Sequence, residues 1–377
     1  VCGGPQCPRT DHRPILEALA AALAAAGLDD AVTLSEMGCP GRCQSAPTLI
    51  VHPGNTVYRL TSPEDVRRVV TSHLQGGVPV PELQLDPESI PHFVHTQNVP
   101  RVALRQLRIA SRNCGVIDPD SLDHALVTYA YQSLATALSG IAPDELVQRV
   151  IDSGLRGRGG GGFPTGVKWR DTRTAAGERK FVICNADEGD PGAFMDRMLL
   201  EGDPHTVIEG MALAAYAIGA QQGFVYIRSE YPLAVSRLRA AIAQARTAGL
   251  LGEQILGSGF SFDIALRLGA GAFVCGEETA LIHSIEGERG MPRPRPPFPS
   301  EKGLWGCPTC INNVETLACV PPIVQHGAAW FSSIGTAKSK GTKVFALAGK
   351  VARTGLVEVP MGITLRDTVF AVGGGIR

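Results

Sequence analysis

The sequence has almost no net charge: 35 lysines and arginines against 36 aspartates and glutamates leave a formal −1 over 377 residues. No global field draws it to nucleic acid or to an anionic membrane, so partners have to be recognised locally. It lacks an apolar run of the ~18 residues that a membrane-spanning helix needs. Even Val207–Ala220 is interrupted by Glu209 and Gly210. It lacks a basic-then-apolar leader, and 10 cysteines are too sparse for a secreted disulfide scaffold. It also lacks a Walker lysine pattern and a Ser/His/Asp motif in recognisable context, which argues against a phosphate-binding hydrolase. The expectation is a soluble chain of a reducing cytoplasm. Val1 stands directly before a cysteine motif with no room for a leading strand, so the sequence reads as truncated at the front, and at its far end as well.

What is present is enough for two or three compact units, with an ordinary apolar fraction of 44%. Ile15, Leu16, Leu19 and Leu23 recur at helical spacing between His12 and Ala26, and Gly27 follows as a cap. Two short strand-like runs, Thr48 to His52 and Thr56 to Leu60, flank a turn, and Ser62-Pro63-Glu64-Asp65 opens a helix with a capping box. This small α/β unit ends near Gly77. A proline-rich stretch without periodicity follows and reads as a linker over 78–113. Beyond it, helices are expected near 119–139 and 143–153. Strands at Phe181–Cys184, Phe224–Arg228 and Phe262–Leu268 then alternate with helices at His205–Ile218 and Pro232–Ala248. That alternation predicts an α/β fold with a mostly parallel sheet. Lys343–Ala348 and Gly355–Val359 look like the opening strands of one more unit, unfinished at Arg377.

Cys2 and Cys7 enclose four residues, Cys39 and Cys43 enclose three, and 31 residues separate the pairs. Two close thiolate pairs suit an iron–sulfur or a zinc site, although two unrelated pairs of buried thiols would look the same. The run from Gly154 through Arg156, Gly157, Arg158, Gly159, Gly160, Gly161, Gly162 and Phe163 to Lys168 is the most informative in the chain. It formally satisfies GxGxxG, yet it leaves a predicted helix, whereas the Rossmann fingerprint leaves a strand. Glycines still let backbone N–H groups approach a phosphate while Arg156, Arg158 and Lys168 bring positive charge, so a bound phosphate ester is the simplest inference. Asn185, Asp187 and Glu188 follow a predicted strand, where an open α/β sheet lines its ligand crevice. A second glycine loop, Gly269 to Gly276, enters a helix with Glu277 and Glu278. Such acids accept ribose hydroxyls and repel a 2′-phosphate, favouring NAD over NADP, although two acids satisfying a helix dipole would read alike.

Together with Pro296-Pro297-Phe298-Pro299 and Ile311-Asn312-Asn313-Val314-Glu315-Thr316, these motifs resemble the FMN- and NADH-binding flavoprotein subunit of respiratory complex I and the related diaphorase subunits of hydrogenases and formate dehydrogenases. The front unit resembles the thioredoxin-like 2Fe-2S ferredoxins, which makes Cys2, Cys7, Cys39 and Cys43 the implied cluster ligands. The implied order is a thioredoxin-like ferredoxin domain at 1–77, a complex I flavoprotein-type α/β domain at 114–338, and the start of a β-grasp-like domain at 339–377. The resemblance implies that Gly157, Arg158, Gly159, Gly160, Gly162 and Lys168 embrace FMN. Asn185, Asp187, Asn312 and Asn313 would bond flavin or its ribityl phosphate, and Glu188 would face the nicotinamide as the catalytic residue. Phe163 and Phe298 would flank the nucleotide, with Gly276, Glu277 and Glu278 beside its riboses. It further implies hydride transfer from NADH, iron–sulfur partner subunits through which the chain reaches a membrane, and a 4Fe-4S centre only in a segment beyond Arg377. The rival from another class is a ferredoxin-like carrier or assembly scaffold without flavin. Cys307 and Cys310 are not expected to hold a cluster, and Cys114, Cys184, Cys275 and Cys319 read as buried thiols.

Overall fold

The computed structural model describes residues 12–37, 47–52, 56–85, 106–190 and 192–377; the four candidate cluster ligands Cys2, Cys7, Cys39 and Cys43 lie outside them. Helix α1 (Arg13–Ala25) buries Ile15, Leu19 and Leu23, the positions its periodicity marks, and Gly27 ends it at φ +64°. Strands β1 (Thr48–Val51) and β2 (Thr56–Arg59) pair antiparallel. Helix α2 (Pro63–Val69) opens with the expected box, in which Ser62 Oγ accepts from the Asp65 N–H at 3.2 Å and Asp65 Oδ2 from the Ser62 N–H at 2.9 Å. These elements share one small core around Leu19, Leu60, Val66 and Val69.

The single helix expected over 119–139 is two, α3 (Leu122–Val127) and α4 (Gln132–Gly140), parted by Tyr129 and Tyr131 at φ +69° and +63°. The break sends Tyr131 inward, where its hydroxyl lies 2.9 Å from His205 Nδ1 in the core. Pro119 does not start α3. Asp118 Oδ1 is engaged by the Asp120 N–H at 3.0 Å, and the cap falls to Ser121, which accepts from the His124 N–H at 3.3 Å.

After α5 (Pro143–Asp152) and α6 (Thr165–Thr174) comes the central sheet: β3 (Phe181–Ala186), β4 (Gln222–Arg228), β5 (Asp263–Gly269) and β6 (Thr309–Asn313). All neighbours are parallel and the order is β5-β4-β3-β6. Val182, Cys184 and Ala186 face a core with α7 (Met195–Gly202), α8 (Pro204–Ile218) and α9 (Pro232–Thr247). Phe181 and Ile183 face Leu281 and Ile282 of α10 (Glu278–Glu286). Burial on both faces explains why these strands read as apolar runs without alternation. Helix α8 is buried on nearly every side, and Gly210 is required there, since a Cβ would stand 2.3 Å from the Leu317 carbonyl oxygen. Beyond the sheet, β7 (Thr342–Leu347) and β8 (Gly355–Pro360) form an antiparallel pair. Among the described residues no helix is long and apolar enough to cross a membrane.

Candidate functional site

The chain visits β3, β4 and β5 in one direction and then returns past β3 to place β6 on its other side. In open α/β sheets the ligand crevice lies at the carboxyl ends of strands where such an order reverses. Here those ends are Asn185 on β3 and Asn313 on β6, which are direct register partners.

The glycine run is the loop between α5 and α6, so it does leave a helix. Its base is tied by Gly157 N–H to Phe163 O at 2.9 Å and by Thr165 N–H to Leu155 O at 2.9 Å. Two of its three cations serve the loop itself. Arg156 donates to Gly162 O at 2.7 Å, and buried Arg158 donates to the carbonyls of Arg156 at 3.0 Å and Lys340 at 2.6 Å. The Arg158 N–H is fixed by Thr316 Oγ1 at 2.8 Å. Gly159 packs on β6, where an added Cβ would lie 3.0 Å from Asn313 Cβ. At Gly160, Gly161 and Gly162 an added Cβ would meet nothing within 4 Å. The loop is thus rigid behind and open in front.

Asn185 donates to Gly276 O at 2.9 Å and accepts from the Asp187 N–H at 3.1 Å, which joins the second glycine loop to the end of β3. Asp187 Oδ2 is buried and has no protein partner. Burial pushes its carboxyl up to about 6, against the pull of the Arg228 guanidinium. Glu188 turns away from open space: its carboxylate accepts the N–H groups of Met195 at 2.9 Å, Asp196 at 3.2 Å and Arg197 at 3.2 Å, capping α7. Burial nevertheless raises its pKa. Asn313 donates to Asp196 Oδ2 at 2.6 Å and accepts from Thr316 N–H at 3.3 Å. Asn312, one residue earlier, points to the opposite face, where its Oδ1 accepts the Trp169 indole N–H at 2.9 Å.

The second loop runs from the end of β5 into α10. Glu277 Oε2 caps that helix through the N–H groups of Thr279 at 2.9 Å and Ala280 at 3.0 Å. Glu278 pairs with the Lys168 ammonium, which also donates to Ile311 O at 3.0 Å. The Arg295 guanidinium sits 3.9 Å from Glu277 and 3.6 Å from Glu278. Phe163 and Phe298 are 49% and 51% exposed, leaving ring faces available for a planar group.

Several of these partners carried no sequence signal. Asp196 is one acid among many until the fold sets it beside Asn313, and its pKa is raised well above normal by burial and then by Glu188. Arg228 was likewise unmarked, whereas Thr316 and Trp169 stood within or at the edge of the motifs with no role of their own assigned. Among the described residues, the only His, Cys, Asp or Glu group of three or more close enough to share an ion is His283, Glu286 and Glu288, which contains no cysteine. Cys310 and Cys319 are buried thiols, and burial pushes Cys310 up to about 12.

This architecture defines an open α/β ligand-binding domain with two glycine loops converging on one set of strand ends. Residues 150–322 match the Nuo51 FMN-binding domain. Over 271 residues the chain is 61% identical to the NADP-reducing hydrogenase subunit HndC of Solidesulfovibrio fructosivorans, covering 72% of this chain and 55% of that protein. Over 256 residues it is 54% identical to an NADH-quinone oxidoreductase subunit of Rhizobium meliloti, covering 67% and 61%. The fold matches a crystal structure of an NAD+-reducing NiFe hydrogenase in the air-oxidized state, with a TM-score of 0.61 and 35% identity, over 96% of this chain and 58% of that one. The chain belongs to the complex I flavoprotein and diaphorase family. It spans 55% to 61% of the length of these relatives.

Proposed function

We propose that this chain binds FMN in the glycine cradle, takes hydride from NADH, and passes electrons singly to iron–sulfur centres of a larger assembly. The observation that carries this reading is a buried, unpartnered Asp187 Oδ2 at the strand ends that the open glycine cradle adjoins. A buried carboxylate oxygen without a donor is costly, and a hydroxyl or ring N–H of a bound ligand relieves that cost. The residues present fit a flavin nucleotide. Gly159, Gly160, Gly161 and Gly162 offer backbone approach without side-chain bulk, Lys168 supplies the cation, and Asn185, Asp187 and Asn313 supply polar contacts.

When bound, flavin accepts a hydride equivalent and releases electrons one at a time, which matches a two-electron donor to one-electron clusters. The protein's part is positioning and electrostatics. Arg156 and Arg158 stiffen the cradle through carbonyl contacts. Glu188 fixes the start of α7 and so the place of Asp196 beneath Asn313. Phe163 and Phe298 flank the nucleotide, and Glu277 Oε1, which the helix cap leaves free, faces a ribose. Glu277 is held below the usual carboxylate range by its Thr279 and Ala280 contacts against the cost of burial, so it stays charged at neutral pH.

The wider assignment is a thioredoxin-like 2Fe-2S unit at 1–77 with Cys2, Cys7, Cys39 and Cys43 as ligands, a linker at 78–113, the FMN- and NADH-binding domain at 114–338, and the start of a β-grasp-like domain at 339–377. It includes iron–sulfur partner subunits that bring the chain to its electron acceptor, at a membrane in a respiratory assembly. The test is FMN content after purification together with NADH-to-ferricyanide activity. A protein that neither retains nor takes up FMN removes the reading.

A further inference from the structure

One side-chain contact joins the two glycine loops. Lys168 lies in the first turn of α6, directly after the cradle, and Glu278 is the first residue of α10, directly after the second loop. Their ion pair is partly covered, at 22% and 27% side-chain exposure, so salt and water screen it less than a surface pair. Of the three cations around the cradle, Arg156 and Arg158 are held by backbone carbonyls. Lys168 alone of these three has a carboxylate for its partner. Its second acceptor, Ile311 O at 3.0 Å, anchors the ammonium beside the strand end whichever anion it serves. Glu278 has a second cation too, Arg295 at 3.6 Å, which keeps it at the mouth of the second loop if Lys168 turns away.

We propose that the Lys168–Glu278 pair couples the two ligand sites: an anionic FMN in the cradle draws Lys168 from Glu278, and the released carboxylate becomes an acceptor for the ribose hydroxyls of the nucleotide. The inference rests on reading the cleft as an FMN and nucleotide site. Two discrete arrangements result. In one, the acid and the base satisfy each other and both sites are muted. In the other, each faces its own ligand. Because the two ligands favour the same arrangement, each strengthens the other, and linkage makes the factor equal in both directions. Bound FMN therefore readies the nucleotide loop, and nucleotide is held more weakly when there is no flavin to receive its electrons.

The test measures NAD+ binding by calorimetry to the full chain stripped of flavin and to the same chain reloaded with FMN. In the wild type, FMN tightens NAD+ about fivefold or more, and NAD+ tightens FMN by the same factor. Glu278→Gln keeps the shape but not the charge. It binds FMN more tightly than the wild type does, and its coupling falls to about twofold or less. Lys168→Met breaks the pair from the other side, and it raises the NAD+ affinity of the flavin-free chain toward that of the loaded wild type. Undiminished coupling in Glu278→Gln, an FMN affinity equal to that of the wild type, or no gain of NAD+ affinity in Lys168→Met overturns the proposal while leaving the flavin reading intact. A wild-type chain that binds no FMN overturns both.

Discussion

The two glycine loops look alike in sequence and are built for different reasons. In the loop between α5 and α6, Gly160, Gly161 and Gly162 face space in which a Cβ would touch nothing within 4 Å. Where β5 runs into α10, a Cβ at Gly269, the last residue of β5, would stand 3.0 Å from the Tyr226 hydroxyl, and one at Gly276 would stand 3.3 Å from the Asp187 carbonyl oxygen. Gly160 and Gly162 also hold left-handed backbone at φ +115° and +62°, so Gly161 is the member of the first set that neither packing nor backbone requires to be glycine, which leaves something the protein does not itself supply. The second set is glycine because the protein's own atoms crowd it. A glycine-rich motif alone cannot separate a ligand cradle from close packing; the atoms around each absent Cβ can.

Substitution should split the loops. Gly161 carries no left-handed backbone, so Gly161→Val fills the cradle without strain. Flavin retention should fall about tenfold or more, while stability stays within about 0.5 kcal/mol of the wild type. Gly160→Val should also expel flavin, but its φ of +115° adds backbone cost. Gly269→Val should do the reverse of Gly161→Val, losing about 1–3 kcal/mol by overpacking on Tyr226. Flavin content and thermal melts read both effects. Equal stability losses at Gly161 and Gly269 would erase the contrast.

Next in size is the support behind the first loop. Arg158→Met removes a buried guanidinium from the carbonyls of Arg156 and Lys340. It should cost about 1.5–3 kcal/mol. Arg158→Lys should not restore it, since an ammonium cannot span two carbonyls as the planar fork does. Chemical denaturation measures the difference, and full rescue by lysine would show that charge alone matters.

Asp187, just past β3, and Glu277, at the end of the second glycine loop, should titrate in opposite senses. Burial raises the Asp187 pKa from 3.8 to about 6. Its folded form therefore prefers the proton, and its contribution is full below the unfolded value and lost as pH rises through about 6. Glu277 is depressed, so its contribution is present above the unfolded value of 4.5 and lost as pH falls through its lower folded value. Asp187→Asn should gain stability relative to the wild type at pH 8 and not at pH 3. Glu277→Gln should lose stability at pH 7 and recover parity in acid. Melting temperatures across pH test this, and parallel pH profiles for the two variants would contradict it.

The smallest expected effect is on nucleotide choice. NADH should be favoured over NADPH because Glu277 is ionised where the added phosphate would sit, although Arg295 and Lys168 offset much of the local charge. Glu277→Gln should narrow the ratio of kcat/KM values about fivefold, ~1 kcal/mol.

Much of this was legible in the residues. The helical spacing of α1, the capping box of α2, the alternation that makes a parallel sheet, and the placement of both glycine loops followed from local chemistry, which a sequence displays directly. The fourth strand was not legible, because Thr309–Asn313 ends in two asparagines that suit a turn as well as a strand. Strand pleat then separates those asparagines, sending Asn313 to the cradle and Asn312 to Trp169. Neither the engagement of Glu188 with α7 nor the retirement of Arg158 into carbonyl contacts could be seen: Glu188 accepts from N–H groups 7 to 9 residues further on, which depends on how the chain turns back, and Arg158 donates to a carbonyl 182 residues away. Charge and position were readable, whereas the partner each charge had already taken was not.

The central claim is that the open glycine cradle holds FMN and that NADH reduces it there. The most direct measurement is the anaerobic absorbance spectrum of the FMN-loaded chain before and after NADH, with the flavin identified by acid release. The account predicts FMN bound at one equivalent per chain and bleached by NADH. A chain that takes up no FMN, or holds FMN that NADH leaves unbleached, would contradict it.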